Sequence, residues 1–236
     1  MGRLDRVRVV IPAKDEEQLL PRCLASVLVA ARRCPVPVDV VVVLDDCSDG
    51  SASVAADFTD TYAEYPHTAL LTRSVTANNV GHARALGMQF ALEDAHVAGL
   101  SLATTDADST VPAHWLSAQL DHLRQGASVV VGTVRVEDWG ERPADVRRRA
   151  EVEYVANGHY HVHGANLSFT ATAYLLSGGF ASLRSAEDVA LVHAFQRAGQ
   201  TLLWATDIAV TTSGRRVGRA PAGFAGYLDR LEEDSA

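Results

Sequence analysis

The sequence predicts a mostly parallel α/β sandwich: a central sheet with helices on both faces. Short apolar runs recur along the first half of the chain, with helically spaced apolar residues between them. Strands and helices alternating in this rhythm form right-handed βαβ units. The strongest run is nearly continuous in apolar residues rather than alternating, which marks a strand covered on both faces. Acidic clusters follow three of the runs, at the strand ends where such sheets bind ligands.

The elements follow in order. Val7 to Ile11, closed by Pro12, is a buried strand. Glu16 to Arg33 carries Leu19, Leu20, Leu24, Val27, Leu28 and Ala31 at helical spacing, with Pro21 in the first turns, where proline is best tolerated. Val38 to Leu44 holds five valines and a leucine, with only Asp39 polar, and is the clearest strand. Asp45 to Gly50 is a polar turn, and Ser51 to Phe58 a helix. Thr68 to Thr72 is a strand, His82 to Ala95 a helix, and Leu100 to Thr104 a strand. Ala113 to Gln125 is a helix and Ser128 to Val136 a β-branched strand.

The second half is less regular. Pro143 to Asn157 reads as a charged, exposed helix and Gly164 to Phe169 as a short edge strand. Glu187 to Ala198 is an amphipathic helix, and Thr201 to Ala205 and Ile208 to Thr212 are two closing strands. There is no internal repeat and no low-complexity linker.

The chain has 236 residues, which suits one large domain. Its formal net charge of −8 disfavours nucleic acid, whose binding rests on phosphate electrostatics. Cys23, Cys34 and Cys47 form no metal-binding pattern, and so sparse a count fits a reducing compartment. No apolar run approaches the ~20 residues of a membrane span. The N-terminal apolar stretch is too short for a signal peptide. The expectation is a cytoplasmic protein without a transmembrane segment.

Three acidic groups follow strands: Asp15-Glu16-Glu17, Asp45-Asp46 and Asp106-Ala107-Asp108. Gathered on one rim they repel, unless something positive lies among them. Two carboxylates two residues apart in a turn can face one hard cation, as magnesium sites require, although Asp108 or Ser109 also suits a helix cap. The Asp45 to Gly50 segment suits a turn, or an acid accepting hydrogen bonds from a base imide or ribose hydroxyl. No Gly-x-Gly-x-x-Gly and no Walker loop is present.

His159, His161 and His163 alternate and share a face if extended; they suit acceptor lining, a metal site or a polar loop. Arg215, Arg216 and Arg219 gather between glycines, and their forks match phosphate oxygens. A diphosphate-ordered lid and a solvated tail are the two readings of that segment. Trp139 and Trp204 suit core packing better than sugar stacking.

Five pieces in order resemble the family 2 glycosyltransferases of GT-A fold. They are Val9 to Glu17, Val43 to Ser51, Gly81 to Gly87, the turn Asp106-Ala107-Asp108, and an acceptor-side set. That set comprises Gly164-Ala165-Asn166, Gly178-Gly179-Phe180 and Glu187-Asp188. Departures are Asp15 and Ala85, where the family usually has asparagine, and Ser168-Phe169-Thr170 in place of its arginine pair.

The resemblance implies one GT-A domain with a Rossmann-like α/β/α sandwich. A nucleotide-sugar-binding half would span residues 1–110, and an acceptor half with a C-terminal loop residues 111–236. It implies nucleoside contacts from Pro12, Ala13 and Glu16, and base binding by Asp45 or Asp46. It gives Arg84 to the base or phosphates, and Asp106 to the ribose or, through water, to the metal. Ala107 lies with them in the donor site, Arg215 and Arg216 would meet the diphosphate, and Asp108 would ligate Mg²⁺ or Mn²⁺ directly. Asp188, beside Glu187 at a helix start, would be the general base of an inverting transfer. The donor would be a UDP- or GDP-sugar, and the acceptor a small molecule, lipid or glycan. A sugar-phosphate nucleotidyltransferase and a non-catalytic nucleotide-sugar-binding protein are the alternatives. The oligomeric state stays open, a homodimer included.

Overall fold

The computed structural model describes residues 3–136, 139, 143, 146–149, 161–214 and 232. Strands β1 (Arg6–Ala13), β2 (Val38–Asp45), β3 (Thr68–Val75) and β4 (Leu100–Thr104) alternate with helices α1 (Leu20–Arg33), α2 (Ser51–Ala63) and α3 (Val80–Leu92). Then come α4 (Trp115–Arg124), β5 (Val129–Val136), β6 (Leu167–Thr170), α5 (Ala171–Leu176), α6 (Glu187–Arg197) and β7 (Leu202–Thr212). Residues 146–149, within the expected Pro143 to Asn157 helix, are helical; most of the rest of that segment lies outside the described residues.

All seven strands form one sheet in the order β3-β2-β1-β4-β6-β5-β7. Only β6 runs against its neighbours. The sheet is therefore mostly parallel, with helices on both faces.

The uniform apolarity of β1 and β2 has a direct cause. Val9, Ile11, Val40, Val42 and Leu44 pack beneath α1, α2 and α4, while Val10, Val41 and Val43 belong to the core shared with α3, α5 and α6. Adjacent residues of a strand face opposite sides, so burial on both sides requires an apolar residue at each position.

Two expectations are corrected. Gly164–Asn166 is a 3₁₀ turn, and the strand that follows lies between β4 and β5 instead of at an edge. Leu167, Ser168 and Phe169 are all buried, so this short strand is covered on both faces. The two closing strands are one. Along β7 the pairing passes from Gly132↔Ala205 to Thr133↔Ala209, so a bulge absorbs the polar Thr206-Asp207 step and still buries Ile208.

Candidate active site

In the sheet order β2-β1-β4, three parallel strands deliver their carboxyl ends to one rim. At the end of β1 the chain turns at Asp15, whose φ is 49°. Its Oδ1 accepts the Ser48 backbone N–H at 2.7 Å, which holds the carboxyl below the usual carboxylate range. Lys14 Nζ donates to the carbonyls of Asp45 at 3.1 Å and Asp46 at 3.3 Å. The Glu16 N–H donates to Ser51 Oγ at 2.8 Å, and the Gly50 N–H to Glu17 Oε2 at 2.7 Å. These bonds fasten the loop after β1 to the loop after β2, bringing Pro12, Ala13, Glu16, Asp45 and Asp46 together.

Within that group Asp45 is buried and accepts the Ala77 N–H at 2.7 Å, tying β2 to the loop after β3. Asp46 is mostly exposed. Ligand atoms of Asp15, Cys47 and Asp49 lie within 4.8 Å of one another, a grouping the sequence did not announce. The two carboxylates already accept backbone N–H groups from Ser48, Glu17 and Ser51.

The third end carries the acidic turn. The Ser109 N–H closes it on the Asp106 carbonyl at 3.0 Å, burying Ala107 and leaving Asp106 and Asp108 half-buried. Ser109 Oγ donates to Asp108 Oδ1 at 3.2 Å. Below the turn, Cys23 of α1 donates to the Asp106 carbonyl. Burial pushes its thiol well up, and the charges of Asp108, Asp106 and Glu16 add to the shift. Carboxylates from two strand ends therefore act on one point. The carboxylate oxygens of Asp106 and Asp108 are hard donors of the kind a divalent magnesium- or manganese-like cation takes.

Arg84 of α3 is buried beside this turn. One guanidinium nitrogen donates to Asp106 Oδ1 and another to Glu187 Oε1, and Glu187 is itself buried. The guanidinium that was expected to meet base or phosphates is thus placed between two carboxylates. Gly164 lies against it so closely that a Cβ there would collide with its nitrogens. The Gly164 N–H donates to Asp188 Oδ2 at 2.7 Å, and the Val189 N–H to Asp188 Oδ1 at 2.8 Å. Asp188 occupies the first turn of α6, whose cap, Ala186, adopts φ 57°. The structure therefore links Asp106, Arg84, Glu187, Asp188 and Gly164 in one connected group.

His161 and His163 stack with ring centroids 6.2 Å apart, just before Gly164. Burial pushes the His163 imidazole down to about 3, and His161 adds to the shift. His159, Arg215, Arg216 and Arg219 lie outside the described residues. Trp204 packs against the core on the α3 side of the sheet, and Trp139 Nε1 donates to the Val136 carbonyl at 3.2 Å.

Asn166, grouped by resemblance with the acceptor side, is an internal strut. Its Nδ2 donates to the carbonyls of Thr133 and Ile208, both at 2.8 Å. Its Oδ1 accepts from Trp115 Nε1 at 2.9 Å and Gln119 Nε2 at 3.2 Å. Nothing local in the sequence marks this role, because its partners come from three distant elements. β7 in turn reaches the acidic turn: Thr110 and Thr211 exchange backbone hydrogen bonds, and the Ser109 and Thr212 hydroxyls are hydrogen-bonded at 3.0 Å.

Comparison with known proteins agrees with this architecture. The chain superposes on a mannosyltransferase from Pyrobaculum calidifontis, solved with GDP-Man and Mn²⁺. The TM-score is 0.65 at 21% identity, over 92% of this chain and 59% of that one. It superposes on residues 1–349 of S. aureus TarS with UDP at TM-score 0.63 and 16% identity, over 96% of this chain and 64% of that one. These likenesses establish the GT-A fold.

The undecaprenyl-phosphate 4-deoxy-4-formamido-L-arabinose transferase of Pectobacterium carotovorum is 31% identical over 134 residues, which is 56% of this chain and 37% of that protein. The transferase of the same name from Sodalis glossinidius is 29% identical over 133 residues, 56% of this chain and 38% of that protein. The match thus spans well under half the length of these relatives. Among the described residues no helix is long and apolar enough to cross a membrane. The sequence model described as Glycosyl transferase family 2 matches residues 8–188, the stretch that runs from β1 to the acid pair opening α6, and the chain belongs to that family.

Proposed function

We propose that this chain transfers a sugar from a UDP- or GDP-sugar to an acceptor hydroxyl, with inversion at the anomeric carbon. The observation that carries the reading is the linkage of the acidic turn to Asp188 through Arg84 and Glu187. It joins a cation-suited turn to a carboxylate at a helix start.

Asp188 takes the acceptor's hydroxyl proton as that oxygen attacks the anomeric carbon. The bond from that carbon to the diphosphate breaks, and the nucleoside diphosphate leaves with the electron pair. Attack from the face opposite the leaving group inverts the centre. The N–H groups of Gly164 and Val189 orient the Asp188 carboxylate. Asp106 and Asp108 would hold Mg²⁺ or Mn²⁺, which when bound neutralises charge on the diphosphate. Pro12, Ala13, Glu16, Asp45 and Asp46 would form the nucleoside side of the cleft. Arg215 and Arg216 are assigned to the diphosphate; β7 meets the acidic turn at Thr212, shortly before them in sequence.

The curated relatives are named for transfer to undecaprenyl phosphate. A polyprenyl phosphate therefore belongs in the acceptor panel beside small alcohols and glycans. The test is nucleoside diphosphate release from UDP- and GDP-sugars with Mn²⁺ across that panel. Asp188→Asn should slow transfer by roughly 10²–10⁴-fold while nucleoside diphosphate affinity stays nearly intact. Wild-type turnover in that variant would remove Asp188 as the base, and inversion with it.

A further inference from the structure

We propose that Arg84 is a positioning residue that couples the acidic turn to the catalytic base and does not contact the donor. The inference rests on the transfer reading above and deepens it.

Burial and partners carry the first part. The Arg84 side chain is 4% exposed, and the Glu187 side chain 5%. Two of the guanidinium nitrogens are taken by carboxylates on different elements, the β4 turn and the first residue of α6. The third, Nε, is buried as well. The guanidinium is thus enclosed between the buried Glu187 and the half-buried Asp106. A buried ion pair is weak evidence for added stability, because desolvation of the charges offsets their attraction.

Gly164 carries the second part. Its Cα packs against the guanidinium, while its N–H holds Asp188 Oδ2. Arg84 therefore reaches Asp188 by two routes: through Glu187 along the first turn of α6, and through the backbone of Gly164. A shift of the guanidinium displaces both supports of the base.

Charge gives the third part, and it sets the sign of the test. Arg84 places a positive charge on Asp106, one of the two acids suited to a divalent cation. That charge opposes the cation, and Glu187 offsets the opposition. Removing the Arg84 charge should leave cation binding equal or tighter while the base loses its setting. A donor-contacting arginine predicts the reverse, weaker diphosphate binding.

The experiment compares wild type with Arg84→Met, Arg84→Lys, Gly164→Ala and Glu187→Gln. Calorimetry reads Mn²⁺ with UDP and GDP, and steady-state assays read kcat and KM. Lysine keeps the charge but cannot fork between two carboxylates. Arg84→Lys and Gly164→Ala should lower kcat by about 10- to 100-fold and keep nucleoside diphosphate affinity within about threefold. Arg84→Met should bind Mn²⁺ as tightly as wild type or tighter, and Glu187→Gln more weakly.

Amide exchange at Gly164 and Val189 reads the Asp188 carboxylate without turnover, and it should quicken about tenfold in Arg84→Lys. If wild type turns over no donor, the transfer reading falls while the exchange result still decides the coupling. Unchanged exchange in Arg84→Lys, or lost diphosphate affinity with kcat retained, would overturn the proposal.

Discussion

Replacing Asn166 by alanine strips partners from the Trp115 indole N–H, the Gln119 amide, and the carbonyls of Thr133 and Ile208, all in the interior. Each of these four buried groups costs about 1–3 kcal/mol if left unsatisfied, so Asn166→Ala should lower unfolding free energy by about 4 kcal/mol or more. Urea denaturation measures this, and a loss under about 1 kcal/mol would deny Asn166 its role as a strut. His163 sets a pH signature. Its imidazole titrates near 6.5 when unfolded and is pushed down to about 3 when folded. Between those values the unfolded chain binds more protons, so this histidine's contribution to stability falls as pH drops through that window. The slope is at most about 1.4 kcal/mol per pH unit. His163→Gln should flatten the acid limb of a stability–pH curve measured from pH 7 downward. An unaltered limb would show that His163 is not held neutral by its surroundings.

Among the elements, α3 decides how the acidic rim meets α6. Asn79 caps it by accepting the His82 N–H at 2.8 Å, and the Gly81 N–H donates to the Leu183 carbonyl just ahead of α6. Gly87 lets the helix lie against β1 and β2; a Cβ there would collide with the side chains of Val10 and Val43. Gly87→Ala should therefore destabilise by about 1–3 kcal/mol through overpacking, read by chemical denaturation. A neutral result would show that α3 is free to move off the sheet. The elements legible in the sequence were those with a strong local cause. Val38 to Leu44 becomes β2 nearly residue for residue, and Leu100 to Thr104 becomes β4. Those the sequence hid were set by tertiary context. β6 is too short to declare that both its faces are covered, the β7 bulge hides behind Thr206-Asp207, and the six residues of α5 are too few for a helical period.

For the molecule as a whole, the sheet gathers acids on one rim and sends its apolar residues into two cores. The acids were legible because they follow strands, and strand order then makes the carboxyl ends of β1, β2 and β4 neighbours. The links between them were not. Arg84 and Glu187 are separated by 103 positions, as are Ser109 and Thr212, and no local pattern pairs them. In the proposed transfer, the Asp106-Ala107-Asp108 turn would hold the cation on which nucleoside diphosphate binding depends. Calorimetric titration of UDP and GDP with Mn²⁺ into wild type and Asp108→Ala measures that dependence. The predicted result is Mn²⁺-dependent binding to wild type of at least one nucleotide, weakened at least about tenfold in Asp108→Ala. Equal affinities for the two proteins in the presence of Mn²⁺ would contradict it.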